Sequence, residues 1–239
     1  MSYYFGLTKK QRERIFHLFL ENYKLKFNEI EKKMNIQSNE LSYHLGQMVK
    51  EGMLEKSNKS YSLTKQAEGY LPLFSNIRKR TLNPVAVVLT AVIKNSKILL
   101  IKRKRRPYKD YWCMIGGKIF MDETIKDATI RLIKEKSSIT GKYVSLNAVV
   151  HERITDGGSP KNSFMLFFTK VNAKDDLFKE GEDGELRWFD LKDLNQEEIV
   201  PSDFWLIKNK LNSKLDAIQF DMPEKDGRLK YKNSKIIKL

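Results

Sequence analysis

Between residues 103 and 136 the chain gathers the residue types that hold phosphate. Gly116 and Gly117 lack a Cβ, so an anion can approach the backbone closely there, and Arg103, Lys118 and Lys136 bring positive charge to the same stretch. The run Lys102-Arg103-Lys104-Arg105-Arg106 is either an anion or DNA patch or a solvated basic turn, and the sequence weighs the two equally. Trp112 is a candidate wall for a ligand pocket, with a buried core role favoured. The single cysteine, Cys113, reads as a small apolar residue rather than a nucleophile and cannot build a thiolate metal site alone. Carboxylates are at hand as well: Glu123 and Glu135 flank Arg131, and Glu152, Asp156, Glu180, Glu182 and Glu185 follow in loops and strand ends.

These residues need a scaffold, and the hydrophobic pattern supplies one. PVAVVLTAVIKNSKILLIKR alternates aliphatic and β-branched residues around Asn95-Ser96, which predicts a buried hairpin. Further strands are expected over 143–153, 163–171 and 185–190, with helices over 123–136 and 203–215. Strands interleaved with helices indicate a layered α/β or α+β fold, not a helical bundle.

The segment PYKDYWCMIGGKIFMDETIKDATIRLIKEKSSIT resembles the Nudix family, whose box reads G-x5-E-x7-R-E-U-x-E-E-x-G-U with U aliphatic. Gly117, Glu123, Arg131, Ile133, Glu135 and Ile139 fill their places without a gap. The resemblance implies an α/β/α sandwich and hydrolysis of a diphosphate by Mg²⁺-assisted attack of water. Three places differ: Leu132 and Lys136 replace glutamates and Ser138 replaces glycine. Residues 132, 135 and 136 share a helix face, so three glutamates there would gather the metal, whereas this chain keeps Glu135 alone and sets an ammonium beside it. The expectation is therefore that hydrolase activity is lost or strongly reduced, with no metal cofactor. Gly117, Glu123, Arg131 and Glu135 then remain as marks of the fold, and Glu123 with Arg131 as a structural ion pair. A ligand, a nucleotide or sugar phosphate, would be held by Arg103, Trp112, Gly116, Gly117, Lys118 and Lys136.

Nearer the N-terminus, apolar residues at helical spacing predict helices over 9–23, over 27–34 and from Ser38 or Asn39 to about Gly52, followed by a hairpin around Ser57-Asn58-Lys59-Ser60. Thr8 and Thr64 are the expected caps of the first helix and of a helix after the hairpin. LSYHLGQMVKEGMLEKSNKSYSLT is similar to the recognition helix and wing of ArsR-type repressors, with Ser42, His44, Leu45, Met48, Gly52 and Met53 in the recurring places. That likeness implies a winged helix-turn-helix binding double-stranded DNA as a homodimer. Ser38, Asn39, Ser42, Tyr43, His44 and Gln47 would read or position, and Lys50, Lys56 and Lys59 would meet phosphate. His44 has neither His17 nor His151 at ligand spacing, so metal sensing is not implied.

A net charge of +15 over 239 residues suits anionic partners without naming one. No stretch approaches the roughly 20 apolar residues of a membrane span, and MSYYFGLTKK lacks a signal-peptide core, so the expectation is a cytoplasmic protein with no membrane partner. The overall reading is α+β: a winged helix domain over 1–76, a linker over 77–84, a Nudix-like domain over 85–218 and a tail over 219–239 that contains Asp226-Gly227. The leading functional expectation is a transcription regulator whose Nudix-like domain senses its ligand. The alternative is a Mg²⁺-dependent hydrolase of nucleoside diphosphate derivatives with an accessory winged helix and Glu135 as a metal ligand.

Overall fold

The computed structural model describes residues 10–71, 83–225, 228–229 and 235–238. The chain divides into two compact units, Met1–Leu82 and Asn83–Leu239. Thr8, most of the expected linker and Asp226-Gly227 lie outside the described residues.

In the first unit, α1 (Lys10–Leu18), α2 (Phe27–Met34) and α3 (Ser38–Lys50) precede a hairpin of β2 (Leu54–Ser57) and β3 (Ser60–Leu63), while β1 (Leu25–Lys26) pairs with the far edge of β3. The short α4 (Lys65–Glu68) follows, with the Thr64 hydroxyl accepting from the Ala67 N–H at 3.2 Å. Ile15, Phe16, Ile30, Leu41, Leu45 and Met48 meet in one core, because each helix turns its i, i+3/i+4 apolar stripe inward. Asn58 and Lys59 both take positive φ, the twist a two-residue hairpin loop needs. Arg12 is buried and forks onto both oxygens of Glu51 at 2.8 and 3.0 Å, tying α1 to the end of α3. The first helix stops at Leu18, short of the expected 23, where the chain tightens through a Phe19 N–H bond to the Phe16 carbonyl. The two-residue β1 was not anticipated, being too short to leave a period.

The second unit is built on a sheet ordered β10-β5-β4-β9-β8. Its strands are β4 (Val85–Lys94), β5 (Lys97–Arg103), β8 (Gly141–Asp156), β9 (Ser159–Ala173) and β10 (Gly184–Asp190). β4 runs parallel to β9 and the other pairs are antiparallel; β6 (Trp112–Cys113) adds to β5 and β7 (Ile115–Lys118) to β4. Side chains alternate between the two faces, so Val88, Leu99 and Cys113 pack beneath α5 (Ile125–Ser137), while Leu89, Leu100 and Met114 pack beneath α6 (Pro201–Lys210). A helix on each face covers a sheet that is apolar on both sides.

Several boundaries differ from the sequence reading. The expected helix over 123–136 begins at Ile125, because Thr124 and Asp127 close a capping box and leave Glu123 outside the helix. The helix expected over 203–215 begins at Pro201, whose fixed φ suits the first helical position, and ends at Lys210, since Leu215 leaves to bond Leu146. Strands β8 and β9 outrun their expected lengths and form a long two-stranded arm, paired from Gly141↔Ala173 to Asp156↔Ser159. In the tail, β11 (Ile218–Asp221) pairs with β14 (Lys235–Lys238), and β12 (Glu224–Lys225) with β13 (Arg228–Leu229).

The capping box gives a direct expectation. Thr124→Ala leaves an N–H of the first turn of α5 without its acceptor and is expected to destabilise the second unit by about 1 kcal/mol. All three tryptophans, Trp112, Trp188 and Trp205, lie in that unit, so urea unfolding followed by tryptophan fluorescence reads it alone.

Candidate active site

The face of the sheet beneath α6 opens into a cleft of about 290 Å³. Its floor is apolar and comes from alternate residues of two parallel strands, Val85, Val87 and Leu89 on β4 beside Phe164 and Leu166 on β9. Carboxylates and cations stand around that floor. Glu152 projects from β8, Asp203 from the first turn of α6, Arg103 from the end of β5, Lys118 from the end of β7 and Lys136 from α5. The register places Glu152 and Lys118 on strands separated by β4 and β9, so their strands lie roughly 14 Å apart across the sheet at about 4.8 Å per step.

The two glycines of β7 are required by close approach. A Cβ on Gly116 would lie 2.8 Å from the Val88 carbonyl oxygen, and one on Gly117 would lie 2.4 Å from Leu132 Cδ2. Leu132 is thus a packing residue of the α5 core as well as a departure from the box. On the outer side of the same turn, Arg131 holds Glu123 by two bonds, Nε to Oε2 at 2.7 Å and Nη2 to Oε1 at 2.5 Å. It also donates to the Lys118 carbonyl at 3.1 Å and stacks 4.0 Å from the Phe120 ring centroid. The Arg131 bonds hold the Glu123 carboxyl below its ordinary range, and the Phe120 N–H, donating at 2.7 Å, acts in the same sense. This network clips the loop after β7 onto α5 and fixes where Lys118 begins.

Two carboxylates, Glu152 and Asp203, stand at the cleft. The Tyr108 and Ser202 hydroxyls donate to the two oxygens of Glu152. Burial, and then the bond and charge of Glu152, push the Tyr108 hydroxyl far above its ordinary value, so it stays a donor. Asp203 is buried and accepts the Met114 N–H at 2.6 Å. Burial raises its carboxyl to about 7; the Met114 bond opposes the rise, Glu152 adds to it and Arg103 opposes it. Burial likewise pushes the Cys113 thiol up to about 12, which leaves it protonated and unreactive at neutral pH.

Of the ligand-binding candidates, the structure brings Arg103, Gly116, Gly117, Lys118 and Lys136 to this one cleft. Trp112 is not there: it is buried, edge-on to Phe189 with ring centroids 4.8 Å apart, beneath α6. Sequence reasoning missed Tyr108 and Asp203 as site residues and met Glu152 only as one of several loop carboxylates. In the first unit, Ser38, Asn39, Ser42, Tyr43 and Lys50 are exposed along α3, Gln47 is half-buried, and Lys56 and Lys59 are exposed on the hairpin. His44 faces inward instead, with only 6% exposure and 3.7 Å from Glu40.

The family model for the NUDIX domain matches residues 83–209, and the chain belongs to the Nudix family. Its mixed α/β fold is the fold of that family. Over 114 residues the chain is 32% identical to the ADP-ribose pyrophosphatase of Methanocaldococcus jannaschii, covering 47% of this chain and 66% of that protein. Over 110 residues it is 29% identical to the Bacillus subtilis protein described as an uncharacterized Nudix hydrolase, YvcI, covering 46% of this chain and 68% of that one. Among solved structures it is similar to the MutT Nudix hydrolase of Burkholderia pseudomallei, with 26% identity, a TM-score of 0.47 and coverage of 53% of this chain and 98% of that one. The segment aligned with the archaeal pyrophosphatase therefore spans just under two thirds of that relative's length.

These matches correct two expectations. A DNA-binding transcription regulator was expected, with a Nudix-like domain that has lost hydrolysis; the relatives that match over this segment are named as hydrolases, and the matched family model covers no part of residues 1–82. Charge at one helix face does not decide the chemistry of a cleft lined by strands and helices together.

Nudix hydrolases typically use Mg²⁺, and the residues at the box helix do not fit such an ion. Leu132 is buried against Gly117, Lys136 carries an ammonium 3.3 Å from Asp183, and Glu135 is bonded to Arg131 at 3.1 Å. Of the five reserve carboxylates, Asp156 pairs with Lys161, Glu180 accepts the Leu186 N–H, Glu182 pairs with Arg105 and Glu185 with Arg187, while Glu152 stands in the cleft and accepts from Tyr108 and Ser202. Among the described residues no three of His, Cys, Asp and Glu come together as a metal site. Among them, too, no helix is long and apolar enough to cross a membrane.

Proposed function

We propose that the chain is a hydrolase of nucleoside diphosphate derivatives, with ADP-ribose-like molecules as the substrate class, and that the cleft on the sheet binds the substrate. The observation that carries this reading is the lining of the cleft: an apolar floor with carboxylates from β8 and α6 and cations from β5, β7 and α5. A nucleotide has the complementary parts. Its flat base covers apolar side chains and offers N–H donors to Glu152 and Asp203, while its diphosphate faces Arg103, Lys118 and Lys136. The kinship with an ADP-ribose pyrophosphatase supports the same substrate class.

In the proposed reaction, water adds to one phosphorus of the diphosphate, the bond from that phosphorus to the bridging oxygen breaks, and the water proton passes to a carboxylate. Glu135 is the glutamate that the box helix keeps where Leu132 and Lys136 replace the others; its side chain is about half exposed, and it is one residue from Lys136, which lines the cleft. We further infer that residues 10–71 form a winged helix-turn-helix, since helices α1 to α3 and the β2–β3 hairpin follow one another in that order, and that it serves the hydrolase as a docking or self-association module.

The test is a panel of ADP-ribose, nucleotide sugars and dinucleotides incubated with the full chain, with release of nucleoside monophosphate as the readout. The reading expects turnover of at least one diphosphate-bridged compound and none of the corresponding monophosphates. A panel left intact over a range of divalent cations contradicts it.

A further inference from the structure

The main cleft continues into a smaller recess of about 130 Å³, with Arg103, Met114, Gly116 and Lys136 common to both. The recess is polar where the cleft is apolar: Arg105, Arg106 and Asp183 complete its wall. Four cationic side chains therefore face one carboxylate in a space the size of one or two phosphate groups. Lys136 is held in place, its side chain only 20% exposed and its Nζ 3.3 Å from Asp183, and Arg105 approaches Glu182 at 3.7 Å from the solvent side. The basic run, which the sequence left equally open as a solvated turn, thus folds back on the box helix at the residue that displaces a glutamate.

We propose that this recess is a metal-independent diphosphate subsite, in which Lys136, Arg103, Arg105 and Arg106 supply the charge that a divalent cation would otherwise bring. The physical case is the excess of positive charge. Without an anion, Asp183 offsets Lys136 and Glu182 approaches Arg105 from the solvent side, which leaves Arg103 and Arg106 as a positive excess in the recess; an entering diphosphate offsets that excess and accepts charge-assisted hydrogen bonds from guanidinium and ammonium groups. The proposal rests on the reading of the cleft as a nucleoside diphosphate site and names how its diphosphate is held.

The experiment titrates inorganic pyrophosphate into the full chain in the presence of EDTA, by calorimetry at low and at moderate salt. Binding is expected without any divalent cation, weakening as salt rises. Lys136→Gln is expected to weaken it about tenfold and Arg105→Gln several-fold, consistent with charge-assisted bonds. Arg105 is largely exposed, so its variant reads charge and not folding, and unchanged tryptophan fluorescence checks the Lys136 variant. Binding that requires Mg²⁺, or EDTA-insensitive binding that neither variant alters, overturns the proposal. Turnover is not the readout, so the two readings fail separately: pyrophosphate held in EDTA by a chain that hydrolyses no nucleotide removes the hydrolase and leaves the subsite. Turnover without such binding does the reverse.

Discussion

Asp203→Asn is expected to stabilise the second unit at pH 8 while weakening substrate binding. The Asp203 carboxyl titrates near 7 in the folded chain and near 4 when unfolded, so the folded state binds the proton more tightly. Its contribution to stability is fully present below about pH 4 and is lost as pH rises towards 7, where burying the ionised group costs on the order of 4 kcal/mol. The amide is neutral at every pH and its oxygen still accepts the Met114 N–H. Urea unfolding read by tryptophan fluorescence should therefore show the variant roughly 2–4 kcal/mol more stable than the parent at pH 8, with little gain at pH 4. In the proposed function the carboxylate is there to accept donors from the base, so KM should rise about tenfold as stability improves, a trade that marks a site residue rather than a packing residue. Equal stability of the two proteins at both pH values would show that Asp203 does not carry this buried charge.

Glu135→Gln should lower kcat by about 10²- to 10⁴-fold with KM nearly unchanged, because the amide keeps the shape and a bond to Arg131 but cannot take a proton. Lys136→Gln should act in the opposite sense, raising KM more than it lowers kcat, since its charge meets the diphosphate before and during the reaction. Steady-state kinetics on whichever compound the panel selects separates the two. A Glu135 variant that retains full kcat would move the proton acceptor to another carboxylate, with Glu152 and Asp203 of the cleft the first candidates.

The sheet and its helices were largely legible because their signals are local. β4 and β5 alternate aliphatic residues around Asn95-Ser96, where both residues take positive φ, whereas the capping box of Thr124 and Asp127 went unread and left the head of α5 two residues out. Gly117, Glu123, Arg131 and Glu135 stood at box spacing in the sequence itself. Asp203 and Tyr108 were hidden for a different reason. An Asp two residues after Pro201 reads as an ordinary residue of a helix first turn, and only the fold brings it 2.6 Å from the Met114 N–H, 89 positions away. Tyr108 lies in a loop with positive φ and meets Glu152 across 44 positions. Trp112 is buried in the core beneath α6, edge-on to Phe189, the role its sequence reading favoured over a pocket wall. His44 misled on α3, where helical periodicity places it with Leu41, Leu45 and Met48 on the buried side. The functional misreading had a common cause with these: the face of one helix was judged without the strands that converge on it.

Diffraction from the full chain bound to a non-hydrolysable methylene analogue of ADP-ribose tests the central claim most directly. The account predicts the base over Val87 and Leu166 with its donors toward Asp203 and Glu152, and the phosphorus atoms beside Lys136 and Arg103. An analogue seated elsewhere, or bound with its phosphates away from Lys136, would contradict it.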